Sequence, residues 1–174
     1  MATVVKEPSL SVVDGLDGLD AVVCLVHEDE RPLGGGAGFV DFRLCGALSR
    51  ALASGFFAGA PGERLLVPSE GRLAPPLVFA VGLGPAASVT ALGLEHALTS
   101  ARAMLTRAQV GEVALAVPSP RKLAPADVGA LVASAFVKPW TAGRVVVLAD
   151  GAVGAACRAA PGAALAVDSQ RAGG

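Results

Sequence analysis

Apolar positions along this chain alternate between unbroken runs and helical spacing. The clearest run is Ala21-Val22-Val23-Cys24-Leu25-Val26, bounded by Asp20 and His27, which predicts a strand buried on both faces. Shorter runs predict strands at residues 3–6, 11–14, 64–68, 77–81, 112–117 and 144–149. Between them the period becomes 3.6 residues. Val40, Leu44, Ala47, Leu48, Ala51 and Leu52 share one face of a helix expected over 40–54, with Gly55 as its C-cap. Leu94, Leu98, Ala101, Leu105 and Ala108 point inward from the longest predicted helix, 87–108. Another helix opens at Pro125, buries Val128, Leu131, Val132, Ala135 and Phe136, and closes at Pro139. A weak helix at 152–159 and a short strand at 165–167 complete the pattern, with a loose tail at 169–174.

Strands separated by helices of this length predict an α/β domain with a mostly parallel sheet covered on both faces. No repeat and no linker divides the chain, so residues 1–168 read as one domain. The expected core includes Val22, Leu44, Leu48, Val81, Leu98, Leu105, Leu115 and Val146. Residues 73–94 carry no charge and mimic a membrane span, but Pro75, Pro76, Pro85 and three glycines break them into strand, loop and helix start.

Composition changes this picture little. Hydrophobic residues make up 53% of the chain and aromatic ones 4%, so the core is aliphatic. Ile, Asn and Tyr are absent, a bias of coding composition. A formal net charge of -1 with no basic block argues against nucleic acid as a partner. Cys24, Cys45 and Cys157 are far apart and fit buried small hydrophobes better than a disulfide or zinc site. The start, MATVVKEPS, lacks the basic-then-apolar pattern of a signal peptide, so the expected location is cytoplasmic with no membrane contact.

Two glycine stretches are the candidate ligand sites. Gly34, Gly35, Gly36 and Gly38 form an expected loop between a buried strand and a helix, where exposed amides cradle phosphates. Gly82 and Gly84 stand in Gly82-Leu83-Gly84-Pro85-Ala86-Ala87, which mimics a dinucleotide fingerprint. That fingerprint belongs on the first strand, and no acidic residue ends the following strand to hold a ribose. A tight turn needing glycine explains the spacing as well. His27 beside Glu28, Asp29 and Glu30 reads as a surface turn, and His96 as part of a solvated helix face. No metal site, cofactor or catalytic residue is expected, and no Gly-x-Ser-x-Gly elbow occurs. Phe56, Phe57 and Trp140 flank helix ends and are the candidates for an apolar contact patch.

Local pattern adds two resemblances. Leu19-Asp20-Ala21-Val22-Val23, then a glycine run before a helix, resembles macro domains, which bind ADP-ribose. That family places asparagines after this strand, whereas this chain has Glu28, Asp29 and Glu30, which would repel a diphosphate. A wider resemblance rests on Glu28-Asp29-Glu30, Leu44-Cys45-Gly46, Ser54-Gly55-Phe56-Phe57-Ala58-Gly59, Gly62-Glu63 and Val78-Phe79-Ala80-Val81-Gly82-Leu83-Gly84. In that order these are similar to the N-terminal domain of the leucyl aminopeptidase family. The resemblance implies a macro-like α/β/α fold of three layers with a mixed, mostly parallel central sheet. It also implies a domain that does no chemistry itself, flanks a metal-binding peptidase domain and contributes to a hexamer. The peptidase domain would begin about where this sequence ends, and its motif Asn-Thr-Asp-Ala-Glu-Gly-Arg is not found here.

The expectation is therefore a stand-alone, non-catalytic module. It would act by protein contact, as a homo-oligomer or with a separate aminopeptidase chain. The alternative is a binder of a nucleotide or ADP-ribose-like ligand, or an enzyme, using the glycine crevice.

Overall fold

The computed structural model describes residues 3–160. Six strands form one sheet in the order β1-β6-β5-β2-β4-β3. They are β1 (Thr3–Lys6), β2 (Ala21–Val26), β3 (Arg64–Pro68), β4 (Leu77–Gly82), β5 (Val113–Ala116) and β6 (Val145–Leu148). All neighbours run parallel except β3, which pairs antiparallel with β4 at the edge. The sheet is thus mixed and mostly parallel.

Alternation along the strands divides the core in two. Ala21, Val23 and Leu25 of β2 join Phe79, Val81, Leu115 and Val147 on one face. That face is covered by α4 (Ala91–Arg107), α5 (Pro125–Leu131) and α6 (Gly151–Ala159). Val22, Cys24 and Val26 turn to the other face, under α1 (Leu10–Asp14), α2 (Gly35–Arg43) and α3 (Ala47–Ser54). The three layers of an α/β/α fold result, and each of the eight expected core residues is buried. Among the described residues no helix is long and apolar enough to cross a membrane.

Several expected elements differ. Residues 11–14 are helical, because the Ser9 hydroxyl accepts the Val12 amide at 3.2 Å and caps α1. Five residues are too few for a helical period to stand out against Val12 and Val13. The single helix expected at 40–54 is two. The chain breaks at Cys45 (φ 54) and Gly46 (φ 78), both left-handed. Asp41 spans the break. Its Oδ1 accepts the Leu48 amide at 2.8 Å and its Oδ2 accepts the Ser49 hydroxyl at 2.5 Å, so a carboxylate from α2 holds the first turn of α3.

The longest helix starts at Ala91 and not at 87, since Thr90 caps it through the Gly93 amide at 3.1 Å. The helix after Pro125 widens into a π-helical turn, Val132–Val137, marked by the Lys138 amide donating to the Ala133 carbonyl at 2.8 Å. There Phe136 stacks on Trp140, ring centroids 5.7 Å apart. The expected strand at 165–167 and the tail at 169–174 lie outside the described residues.

Candidate functional site

Ligand crevices of α/β sheets open beyond the carboxyl ends of the parallel strands. Here two of the chain's own loops meet at that end. β2 leads into His27-Glu28-Asp29-Glu30, which crosses to the turn after β4. The Leu83 amide donates to the Val26 carbonyl at 2.9 Å, and the Glu28 amide to the Gly84 carbonyl at 3.1 Å. Asp29 Oδ1 then accepts the Ala86 amide at 2.8 Å. That bond is the main cause holding the Asp29 carboxyl below its usual range; the nearby His27 and Arg121 add smaller effects. A carboxylate thus already sits on the turn amide that an anionic ligand would seek.

Both glycine stretches include positions where close packing requires glycine. Gly34 to Gly38 do not form a loop: Gly34 is the N-cap of α2, and Gly35, Gly36 and Gly38 lie within the helix. The reason is close approach. A Cβ on Gly36 would stand 2.9 Å from the Ala116 Cβ and 3.2 Å from the Leu148 Cβ, so α2 settles on β5 and β6 only with glycine there. Gly82 is the parallel case, with the Ala60 carbonyl oxygen 2.1 Å from where its Cβ would be. Gly84 follows in the turn itself.

Two of these glycines border cavities. Gly38 borders an open cavity of about 670 Å³ beside Asp41, Phe42, Cys45 and Ser49. Gly82 borders another of about 420 Å³, with Ser88, Thr90, His96 and Ser100 on its wall. Neither cavity includes Gly34, Gly35 or Gly36. At the end of β6, Asp150 stands at the N-cap position of α6, and its Oδ1 accepts the Ser119 hydroxyl at 3.0 Å instead of a helix amide.

The expected surface patch also changes. Phe56 is 77% exposed, as its place after a helix end suggests, but Phe57 is 1% exposed and packs with Leu48 and Leu52 in the core. Trp140 is 2% exposed; it stacks on Phe136 and its Nε1 donates to the Gly111 carbonyl at 3.3 Å. Both turn inward because a neighbouring aromatic or aliphatic cluster receives them. The exposed aromatic that sequence reasoning missed is Phe42, 65% exposed on α2. Its signal was present: it lies about 200° around a helix from Val40, which faces the core.

His27 is the other correction. It is 2% exposed, not a surface turn, and neither ring nitrogen has a partner within the protein. The β2 run simply continues one residue further inward than the acidic residues after it suggest. His96 is exposed as expected. Cys24 and Cys157 are buried but Cys45 is exposed at the helix break. Among the described residues, no group of three or more His, Cys, Asp or Glu side chains is placed to hold a metal ion.

With this geometry in place, comparison with known proteins is informative. The sequence profile of the cytosol aminopeptidase family, N-terminal domain, matches residues 22–140. No curated protein matches the sequence. Among solved structures, a tomato leucine aminopeptidase mutant superposes with a TM-score of 0.61 at 18% identity, over 87% of this chain and 33% of that one. The chain thus spans a third of the tomato enzyme. The macrodomain of Thermus aquaticus DarG superposes at 0.63 and 14% identity, over 85% of this chain and 98% of that one. A Trypanosoma brucei macrodomain in complex with ADP gives 0.65 and 12%, over 90% and 69%. At these identities the likeness is one of fold.

Proposed function

The chain belongs to the cytosol aminopeptidase family through its N-terminal domain, and from that premise we propose that it is a non-catalytic module working by protein contact, with itself or with a separate aminopeptidase chain. The matched region is the family's N-terminal domain and not its catalytic one. The observation that carries the reading is the exposure of Phe42 and Phe56, at 65% and 77%, in a chain with few aromatics to spare. Large apolar side chains left at the surface favour a partner. The carboxyl end of the sheet supports the same reading, since Asp29 fills the Ala86 amide and Glu28 and Glu30 add like charge against a phosphate.

Sedimentation of the purified chain, alone and mixed with a purified aminopeptidase of the family, tests this. Association in either sample supports the reading, and a monomer in both refutes it. The chain with zinc or manganese should not hydrolyse leucine amide, and turnover that stays with the purified protein would refute the non-catalytic part.

A second reading has one observation in its favour: the cavity of about 420 Å³ beside Gly82 is lined by Ser88, Thr90 and His96, groups that suit a small polar ligand. Macrodomain neighbours, one solved with ADP, make nucleotides and ADP-ribose the compounds to try. A ligand at 100 times its dissociation constant stabilises by about 2.7 kcal/mol, which a thermal-shift screen detects.

A further inference from the structure

β3 is the outermost strand, with β4 on its inner side only. Its backbone groups divide by parity. The Gly82 amide donates to the Glu63 carbonyl and the Ser69 amide to the Pro76 carbonyl, each at 2.9 Å, so odd-numbered residues turn toward β4. In an antiparallel ladder the alternate residues turn the other way. Arg64, Leu66 and Pro68 therefore aim their backbone groups out of the sheet. Pro68 stands at an outward position, where its missing N–H breaks no bond of the fold. Leu65 and Val67 pack against the core under α3, which leaves Leu66 on the opposite face, 52% exposed. An edge with a bare leucine at its centre is a template for another strand.

We propose, on the footing of the self-association reading, that two copies of this chain join edge to edge through β3, antiparallel across a two-fold axis at Leu66. The outward groups are complementary to themselves in that register. Leu66 N–H donates to the second copy's Leu66 C=O and the reverse. Arg64 N–H donates to the second copy's Pro68 C=O and the reverse, so the one absent donor costs only the bonds to the Arg64 carbonyl. The two Leu66 side chains then meet on one face of the joined sheet and cover each other. Each Arg64 comes to the end of the other copy's strand, where Glu70 lies two residues past Pro68; its Oε2 accepts from Arg72 of its own copy at 2.7 Å, and its exposed Oε1 is left to accept from the incoming Arg64. An antiparallel pairing shifted by two residues would set Leu66 against Arg64 or Pro68 and leave it uncovered.

The test combines a cross-link and a charge. In the 174-residue chain carrying Cys45→Ser, Leu66→Cys places two thiols on residues about 5.5 Å apart between Cα atoms, within disulfide reach. Oxidation should give a covalent dimer, while Leu92→Cys, at an exposed position of α4, should not. Leu66→Lys brings two ammonium groups together at the axis and should weaken association at least about tenfold in sedimentation, with the circular dichroism unchanged. Both results support β3 pairing. If the parent chain associates but Leu66→Cys fails to cross-link and Leu66→Lys associates as before, the edge is not the interface, although self-association stands. If the parent is monomeric at every concentration, self-association and the edge pairing fall together, and contact with an aminopeptidase chain is left to the mixing experiment.

Discussion

Replacing Asp41 with Ala should destabilise the domain more than any other loss of a charge. Asp41 is 6% exposed, and its carboxylate reaches from α2 across the break to the first turn of α3, where the Arg50 side chain also bonds the Cys45 carbonyl. Three donors converge on the carboxylate: the Leu48 amide at 2.8 Å, the Ser49 amide at 3.3 Å and the Ser49 hydroxyl at 2.5 Å. A hydrogen bond to a charged group is worth about 1.5–3 kcal/mol, and losing a helix cap alone costs about 0.5–2 kcal/mol. Removing the buried charge returns part of its desolvation cost, so a net loss of about 2–4 kcal/mol is expected. With a urea slope of about 2 kcal/mol/M, the midpoint should fall by about 1–2 M. Asp41→Asn keeps an acceptor and should lose about half as much. Equilibrium urea unfolding of the three proteins decides it. An Asp41→Ala midpoint within about 0.2 M of the parent would show that the cap contributes nothing to α3.

Neighbouring phenylalanines should behave oppositely: Phe57→Ala should cost about 3–5 kcal/mol in unfolding, and Phe56→Ser no more than about 0.5 kcal/mol. Equal losses would contradict their placement. Asp29 is held below the usual carboxylate range, chiefly by the Ala86 amide, so its contribution is present above the ordinary value of about 4 and is lost as pH falls through the lower folded value. The Ala86 amide resonance should therefore titrate with a midpoint below about 4; one above it would break the assignment. Burial pushes the Cys24 thiol up to about 12 and Cys157 up to about 11, so native protein should show a single fast thiol toward Ellman's reagent, lost in Cys45→Ser. Three fast thiols would mean the core is open.

The sheet was legible because its strands are apolar runs, and six of them fall where the runs do. Residues 11–14 were misread because a run of two valines looks the same in a strand and in one helical turn. The split at Cys45 escaped because Leu44 and Leu48 keep helical spacing across it; what breaks the helix is a left-handed pair and a carboxylate from six residues before α3. Glycines at 34–38 suggested a loop, since glycine is a poor helix former, yet close packing on Ala116 and Leu148 demands it there. The candidate site was the least legible part. Whether Phe57, Trp140 and His27 face in or out depends on which element covers them, and no local pattern carries that.

We propose that this domain works by contact and not by holding a nucleotide. Amide spectra of the isotope-labelled chain test it most directly, recorded as protein concentration rises and again with saturating ADP-ribose. Contact should give concentration-dependent changes centred on Leu66, broadening at Phe42 or Phe56 when an aminopeptidase is added, and no ADP-ribose effect at Gly35, Gly82, Ala86 or His96. Spectra unmoved by concentration and by the aminopeptidase, with saturable ADP-ribose shifts at Gly35 and Ala86 or at Gly82 and His96, would refute it.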